Sequence, residues 1–307
     1  MRPTLSPSRF AYVDRRTGQS RTDPIYAASF LDWCYNTPVG VSLTRALLSR
    51  GFVSKLYGWY YRLPRTRRRI APFAKAMGVN LAELAAPLAS FRSFDEFITR
   101  SIDLSHRPID ADPGTCVSPA DGRVMAFQTC DAGVPLRIKG GLFDLAALLR
   151  DEALAQRYAG GSIVIVRLYL ADYHHFHFPD GGIPGESRAV AGRYFAVSPY
   201  ARRWSVPFYG ENHRLITMFE SDHFGRMAMI EIGSFTVGSV RECFAPHVRV
   251  AKGDHKGYFE LGGSVVVLLF EPGGVRLDDD LCENTRTGVE TYVHMGEAIG
   301  RSTASAG

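Results

Sequence analysis

Residues 261–270 read LGGSVVVLLF. Two glycines allow an unusual backbone path at the junction, and Ser264 then opens a strongly apolar strand. Shorter β-rich runs separated by Gly, Pro and Asp recur through the second part of the chain, at 122–127, 162–170, 227–232, 236–240 and 247–250. A helix over about 142–150 interrupts them. Upstream the period changes. Leu43, Ala46, Leu47 and Arg50 step at three and four residues, and further helices are predicted over 65–77, ending at Gly78, and over 81–84. Ser93 and Glu96 have the spacing of a capping box before Phe97 and Ile98. The expected class is therefore α+β, a helical N-terminal part followed by a mainly antiparallel β body. The expected division is a flexible leader over 1–24, a helical region over 25–105 and a β-rich catalytic region over 106–307.

Composition bounds what such a chain does. Of 307 residues, 46% are hydrophobic and 22% charged, which excludes wholesale disorder. No run reaches the roughly 18–20 apolar residues needed to span a bilayer. Five cysteines (Cys34, Cys116, Cys130, Cys243, Cys282) are widely spaced without a C-x-x-C, so neither a disulfide framework nor a four-thiolate zinc site is indicated, and a reducing compartment is the default. No apolar h-region follows a basic start, against a secretory signal, and Asp14 and Asp23 weaken a transit-peptide reading. The net charge of +5 hides an asymmetry. Residues 1–100 hold 16 Lys+Arg against 6 Asp+Glu, a balance of +10, which leaves 20 against 25 in the remainder, or −5. Such a split suggests that the first third faces something anionic.

Three segments concentrate chemistry. KLYGWYYRLPRTRRR (55–69) sets Tyr57, Trp59, Tyr60 and Tyr61 beside Arg62, Arg65, Arg67, Arg68 and Arg69. Aromatic rings suit the headgroup layer of a membrane, and each nearby arginine adds on the order of 1 kcal/mol of attraction to an anionic leaflet. The same mixture serves single-stranded nucleic acid, or simply a solvated basic face over an aromatic cluster. DYHHFHFP (172–179) holds His174, His175 and His177, side chains suited to proton exchange near neutral pH. In a straight strand His175 and His177 share a face and His174 points away, so joint action of His174 and His177 requires a bend. No partner at a familiar spacing completes a metal site, and none is expected. SPADGRV (118–124) puts Asp121 in a tight turn, either as a plain turn residue or as an acid that orients a histidine. No G-x-S-x-G elbow occurs, so an ordinary α/β-hydrolase is disfavoured. Taken singly, Ser264 reads as a strand-start serine.

Taken together, eight blocks carry more than their parts: SFDEFITR (93–100), RPID (107–110), SPADGRV (118–124), IKGGLFDLAALL (138–149), DYHHFHFP (172–179), EIGSFTVGSV (231–240), KGDHKGYFELGGS (252–264) and DLCENTRTGVETYVHMGEAIG (280–300). In order and spacing the chain resembles the phosphatidylserine decarboxylase family from about Tyr35 to Gly300. The resemblance implies a proenzyme that cuts itself between Gly263 and Ser264, giving a β chain of 1–263 and an α chain of 264–307, with Ser264 becoming a pyruvoyl group. It implies Asp121, His177 and Ser264 as the self-cleavage triad and His174 as a histidine of decarboxylation. Phosphatidylserine would be converted to phosphatidylethanolamine through a Schiff base to the pyruvoyl, on a cleaved heterodimer that pairs again as a homodimer. His175 has no role in this scheme.

One departure stands out. The family's usual Thr after the cleaved serine is Val265 here, so any help from that hydroxyl is absent and slower cleavage is expected. The resemblance also gives the basic aromatic segment a use. Tyr57, Trp59, Tyr60, Arg62, Arg65, Arg67, Arg68 and Arg69 are expected to rest on an anionic membrane surface without spanning it, at the cytoplasmic face of a bacterial inner membrane. Two alternatives remain at this point: a pyruvoyl-dependent decarboxylase of a soluble amino acid, and a catalytically inactive membrane-binding homologue. The negative balance of the β body speaks against nucleic acid.

Overall fold

The computed structural model describes residues 11–24, 27–130, 136–138, 141–197, 208–234, 240–260 and 264–303. Gly262 and Gly263, residues 1–10 of the expected leader and most of the run at 236–240 lie outside them. Among the described residues, nine strands form one sheet in the order Ser20–Thr22, Ala11–Asp14, Glu290–Val293, Gly122–Phe127, Ser162–Leu168, Ser264–Phe270, Gly225–Ile232, Arg214–Ser221 and Gly182–Val190. Only the Ala11–Asp14 and Glu290–Val293 pair is parallel. The α+β class and the antiparallel body follow the sequence expectation.

The Ser264–Phe270 strand explains the arrangement. Each of its residues is buried, and its six apolar side chains are worth about 1.5–3 kcal/mol apiece when removed from water. That gain is available only to a strand covered on both faces, and this one lies near the middle of the sheet. Val265, Val267 and Leu269 enter one core with Ile163, Ile165 and Ile230, roofed by Leu145, Leu148, Leu149 and Tyr158 of two short helices. Val266, Leu268 and Phe270 enter the opposite core with Phe176, Phe178, Phe259 and Leu281. A three-stranded sheet of Val240–Glu242, His255–Phe259 and His175–His177 forms part of that second layer.

The helical region has its own small core. Tyr61, Phe73, Phe91, Phe94 and Phe97 are buried together with edge-to-face rings, Phe73 to Phe94 at 5.0 Å and Phe91 to Phe97 at 5.5 Å. Ser93 Oγ accepts from the Glu96 N–H as the capping box requires, but Glu96 accepts from the Arg92 N–H rather than from Ser93. The helix Ile70–Met77 ends at Gly78, whose φ of +67° is the left-handed stop that glycine permits.

Several boundaries differ from expectation. Residues 11–24 of the expected leader contribute the Ala11–Asp14 and Ser20–Thr22 hairpin. The expected 65–77 helix begins as a 3-10 turn over Pro64–Arg69, since Pro64 sets the entry. Gly141–Phe143 pairs with Leu136–Ile138, so the helix expected over 142–150 starts only at Leu145, capped by Asp144 Oδ1. The 247–250 run is not a strand. His247 has φ of +62°, and only Val250 makes a bridge, to Gly182.

Candidate active site

The end of the Ser162–Leu168 strand positions Ser264 and, through Leu170, His174. Ser264 lies opposite Leu168 in the sheet and is fully buried, and its Oγ has no hydrogen-bond partner among the described residues. Two residues beyond Leu168, the Leu170 carbonyl accepts from Nε2 of His174 at 3.2 Å. A carbonyl only accepts, so Nε2 carries the hydrogen and Nδ1 the lone pair. That Nδ1 is buried and also lacks a partner. The His174 carbonyl accepts from the N–H of Phe259, the last residue of the strand before the 260–263 junction. His174 is thus tied through its carbonyl to the residue before the junction and through its ring to the turn that follows the strand residue opposite Ser264. Leaving a buried polar atom without a partner is costly, and two near one strand end make that end a candidate for chemistry.

His177 sits differently. Its Nδ1 donates to the Gly253 carbonyl at 2.9 Å, which leaves the lone pair on Nε2, 3.4 Å from the Tyr173 hydroxyl. Asp121 is buried and held by Arg107, with Nε 2.9 Å from Oδ1 and a terminal nitrogen 2.7 Å from Oδ2, and by the Met295 N–H at 2.8 Å. No hydrogen bond joins Asp121 to His177, or His177 to Ser264, among the described residues. The Asp121 charge still acts on the His177 ring, favouring its protonated form. His175 is satisfied at both nitrogens, by His255 at 2.9 Å and the Thr99 carbonyl at 3.0 Å, and stacks on Tyr173 at 4.7 Å. His175 and His177 both lie against the His255 ring, as strand alternation dictates. His174 falls just outside the strand and turns toward Leu170.

Burial sets the protonation states. It pushes His174 down to about 3, with the Arg100 guanidinium acting in the same direction, and pushes His175 and His177 down to about 4. Burial therefore favours the neutral form of all three at pH 7 and weakens them as bases.

A polar cavity of about 270 Å³ adjoins this cluster, lined by Arg100, Arg107, Asp121, Arg123, Asp172 and Tyr173 among others. Arg123 pairs with Asp172 and with Asp23, and Arg107 bridges Asp121 to Glu83. Burial raises Asp172 to about 6 despite the opposing effect of Arg123. Of these, Arg107 opens the RPID block and Arg100 closes the SFDEFITR block, and neither had drawn a role. Only their burial makes them significant.

Comparison with known proteins settles the family. Residues 94–301 match the phosphatidylserine decarboxylase family model. The chain is 37% identical to the phosphatidylserine decarboxylase proenzyme of Clostridium beijerinckii over 289 residues, covering 94% of this chain and 98% of that protein. It is 38% identical to the proenzyme of Chlamydia pneumoniae over 291 residues, with 95% and 97% coverage, and 38% identical to that of Chlamydia muridarum over 301 residues, with 98% and 100%.

The chain belongs to the phosphatidylserine decarboxylase family.

For a member of this family the donor set at Ser264 fits a group grown from that serine. The Oγ is enclosed and uncommitted, and His174 Nδ1 offers a bare lone pair at the same strand end. Among the described residues, no group of three or more His, Cys, Asp or Glu is placed to hold a metal ion.

Proposed function

We propose that this chain is a self-processing decarboxylase that converts phosphatidylserine to phosphatidylethanolamine, using a pyruvoyl group made from Ser264. The observation that carries the reading is the near full-length match to phosphatidylserine decarboxylase proenzymes, together with a buried, uncommitted Ser264 Oγ at the motif serine.

In this reading His177, influenced by Asp121, removes the Ser264 hydroxyl proton at Nε2, and the oxygen attacks the Gly263 carbonyl, moving that acyl group from nitrogen to oxygen. The pyruvoyl group supplies an electron-withdrawing carbonyl that drains charge from the carbon losing CO2. His174 takes a proton from the substrate ammonium at Nδ1 and returns it to that carbon. An entering anionic headgroup raises the low proton affinity of His174, which makes the exchange feasible.

The membrane belongs to the same proposal. Phe30, Trp33, Val39, Leu43, Leu47, Phe52, Leu56 and Trp59 are exposed on the helices Ala28–Asn36, Pro38–Leu43 and Gly51–Tyr61 and on the turn between them. No helix among the described residues is long and apolar enough to cross a membrane. We assign the contact to these exposed apolar side chains, which include Trp59. Others of the expected residues are engaged within the fold. Arg62 pairs with Asp95 and Glu260, and Arg65 and Arg69 lie over the Tyr60 ring.

The test is intact mass spectrometry of denatured protein beside a phosphatidylserine turnover assay. Two fragments, 1–263 and a 44-residue 264–307 with a pyruvoyl terminus, are expected with turnover. Ser264→Ala should remain one chain, and His174→Ala should cut yet fail to release CO2. An uncut, inactive wild-type chain would sink the reading.

A further inference from the structure

We propose that Arg100 is the seat of the substrate's phosphodiester, the group that fixes the headgroup beside His174. This rests on the decarboxylase reading above and goes beyond it by naming the residue that recognises the lipid's anion.

The argument begins with charge accounting in the polar cavity. Five carboxylates line it, and each is in contact with an arginine, Arg107 and Arg123 serving two apiece: Asp14 with Arg21, Asp23 with Arg123 and Arg167, Asp172 with Arg123, and Glu83 and Asp121 with Arg107. Arg100 lines the same cavity, is 5% exposed, and has no carboxylate within ion-pair distance among the described residues. Its bonds go to backbone carbonyls, to Ala171 at 2.6 Å, Asp172 at 3.2 Å and Phe97 at 3.3 Å. The carboxylates of Asp172, Asp121 and Glu83 act on Arg100 only from beyond ion-pair distance, and an anionic ligand in direct contact would stabilise the buried guanidinium further. Arg214 makes a useful contrast. It too is buried with backbone partners alone, but it spends its N–H groups on four carbonyls, of Ala147, Leu148, Gly210 and Asn212, and is fully enclosed.

Position supplies the second half. Arg100 binds the carbonyls of Ala171 and Asp172, and His174 binds the carbonyl of Leu170. Both side chains are thus held by one turn, which follows the strand residue opposite Ser264. An anion on Arg100 would lie next to the reacting end of the headgroup.

The serine headgroup offers two anions, its carboxylate and its phosphodiester. A cation on the carboxylate would stabilise the charge that must leave as CO2, holding the ground state more tightly than the transition state. The phosphodiester keeps its charge throughout, so binding it orients the headgroup without that penalty, and a planar guanidinium suits its two oxygens.

Cleaved wild type, Arg100→Lys and Arg100→Gln can be titrated calorimetrically with sn-glycero-3-phosphoethanolamine, which keeps the phosphodiester and lacks the carboxylate, and assayed on phosphatidylserine micelles. Arg100→Gln should bind the probe about 10- to 100-fold more weakly, as expected for losing charged hydrogen bonds, and raise KM more than it lowers kcat. Arg100→Lys should fall between. Unchanged probe affinity in Arg100→Gln overturns the proposal, and a raised KM with unchanged probe affinity moves Arg100 to the carboxylate and overturns it equally. Should Arg100→Gln fail to fold or cut, Arg100→Lys decides, since it keeps the charge but loses the bidentate fork. A loss of threefold or more supports the seat and no loss refutes it. The enzyme reading fails separately, if wild type binds the probe through Arg100 yet never turns over phosphatidylserine.

Discussion

Val265 turns its side chain to the opposite face of the sheet from Ser264. It packs with Val267 and Leu269 into the layer under the helices, while Ser264 has the parity of Val266 and Leu268. A hydroxyl at 265 would therefore enter an apolar layer away from the Ser264 Oγ. Val265→Thr should lower stability by about 1–3 kcal/mol, the cost of an unpaired buried hydroxyl, without speeding scission. Thermal melting on a Ser264→Ala background and a time course of cut against uncut chain measure the two effects. A Thr variant that cuts faster would show that the hydroxyl acts after all. At this scale the sequence singled out Ser264 and His174 by residue type, and the structure finds both buried with an unpartnered side-chain atom among the described residues. Arg100 and Arg107 stayed mute because an arginine means little until its burial and partners are known.

Secondary-structure elements show the same boundary between pattern and context. The strand Ser264–Phe270 was readable because apolarity at every position survives any packing arrangement. The run at 247–250 was not, because β-branched composition does not provide a neighbour to pair with. Among the helices, the stretch 55–69 combined two roles that only packing separates. Its tyrosines line a local core and bind arginines, while Leu56 and Trp59, with Phe52 just upstream, point outward at 62%, 58% and 61% exposure. Replacing these three by Ser should leave folding and self-cleavage intact, since none is buried. The same replacement should strip most binding to anionic vesicles in a flotation assay, each buried aromatic or leucine being worth about 1.5–3 kcal/mol at the interface. Undiminished flotation would place the membrane contact elsewhere, and equal binding to neutral and anionic vesicles would remove the arginines from the account.

The whole molecule is organised around the junction it is expected to cut. The strand that begins at Ser264 is paired on one side to Ser162–Leu168 and on the other to Gly225–Ile232, so the two fragments cannot separate without opening the middle of the sheet. Acid should weaken this assembly. His174, His175 and His177 are held at about 3, 4 and 4 by burial, against an ordinary value near 6.5. Above pH 6.5 they are neutral in both folded and unfolded chains and cost nothing. Between about pH 6.5 and 4 the unfolded chain takes up three protons that the folded chain refuses, so stability falls. Asp172, raised to about 6, works the other way with a single proton and does not cancel the loss. Melting temperature on the Ser264→Ala background should therefore drop steadily over that range, with a shallower slope in His175→Gln; a flat profile to pH 4 would contradict this. The sequence by itself determined the family and the fold class, because motif order and apolar runs are local properties of the chain. Tertiary structure alone decided which buried polar atoms among the described residues are left without partners, which arginines are held by backbone carbonyls and not by carboxylates, and which aromatics face outward. Those are matters of what surrounds a side chain, and segments hundreds of residues apart supply the surroundings.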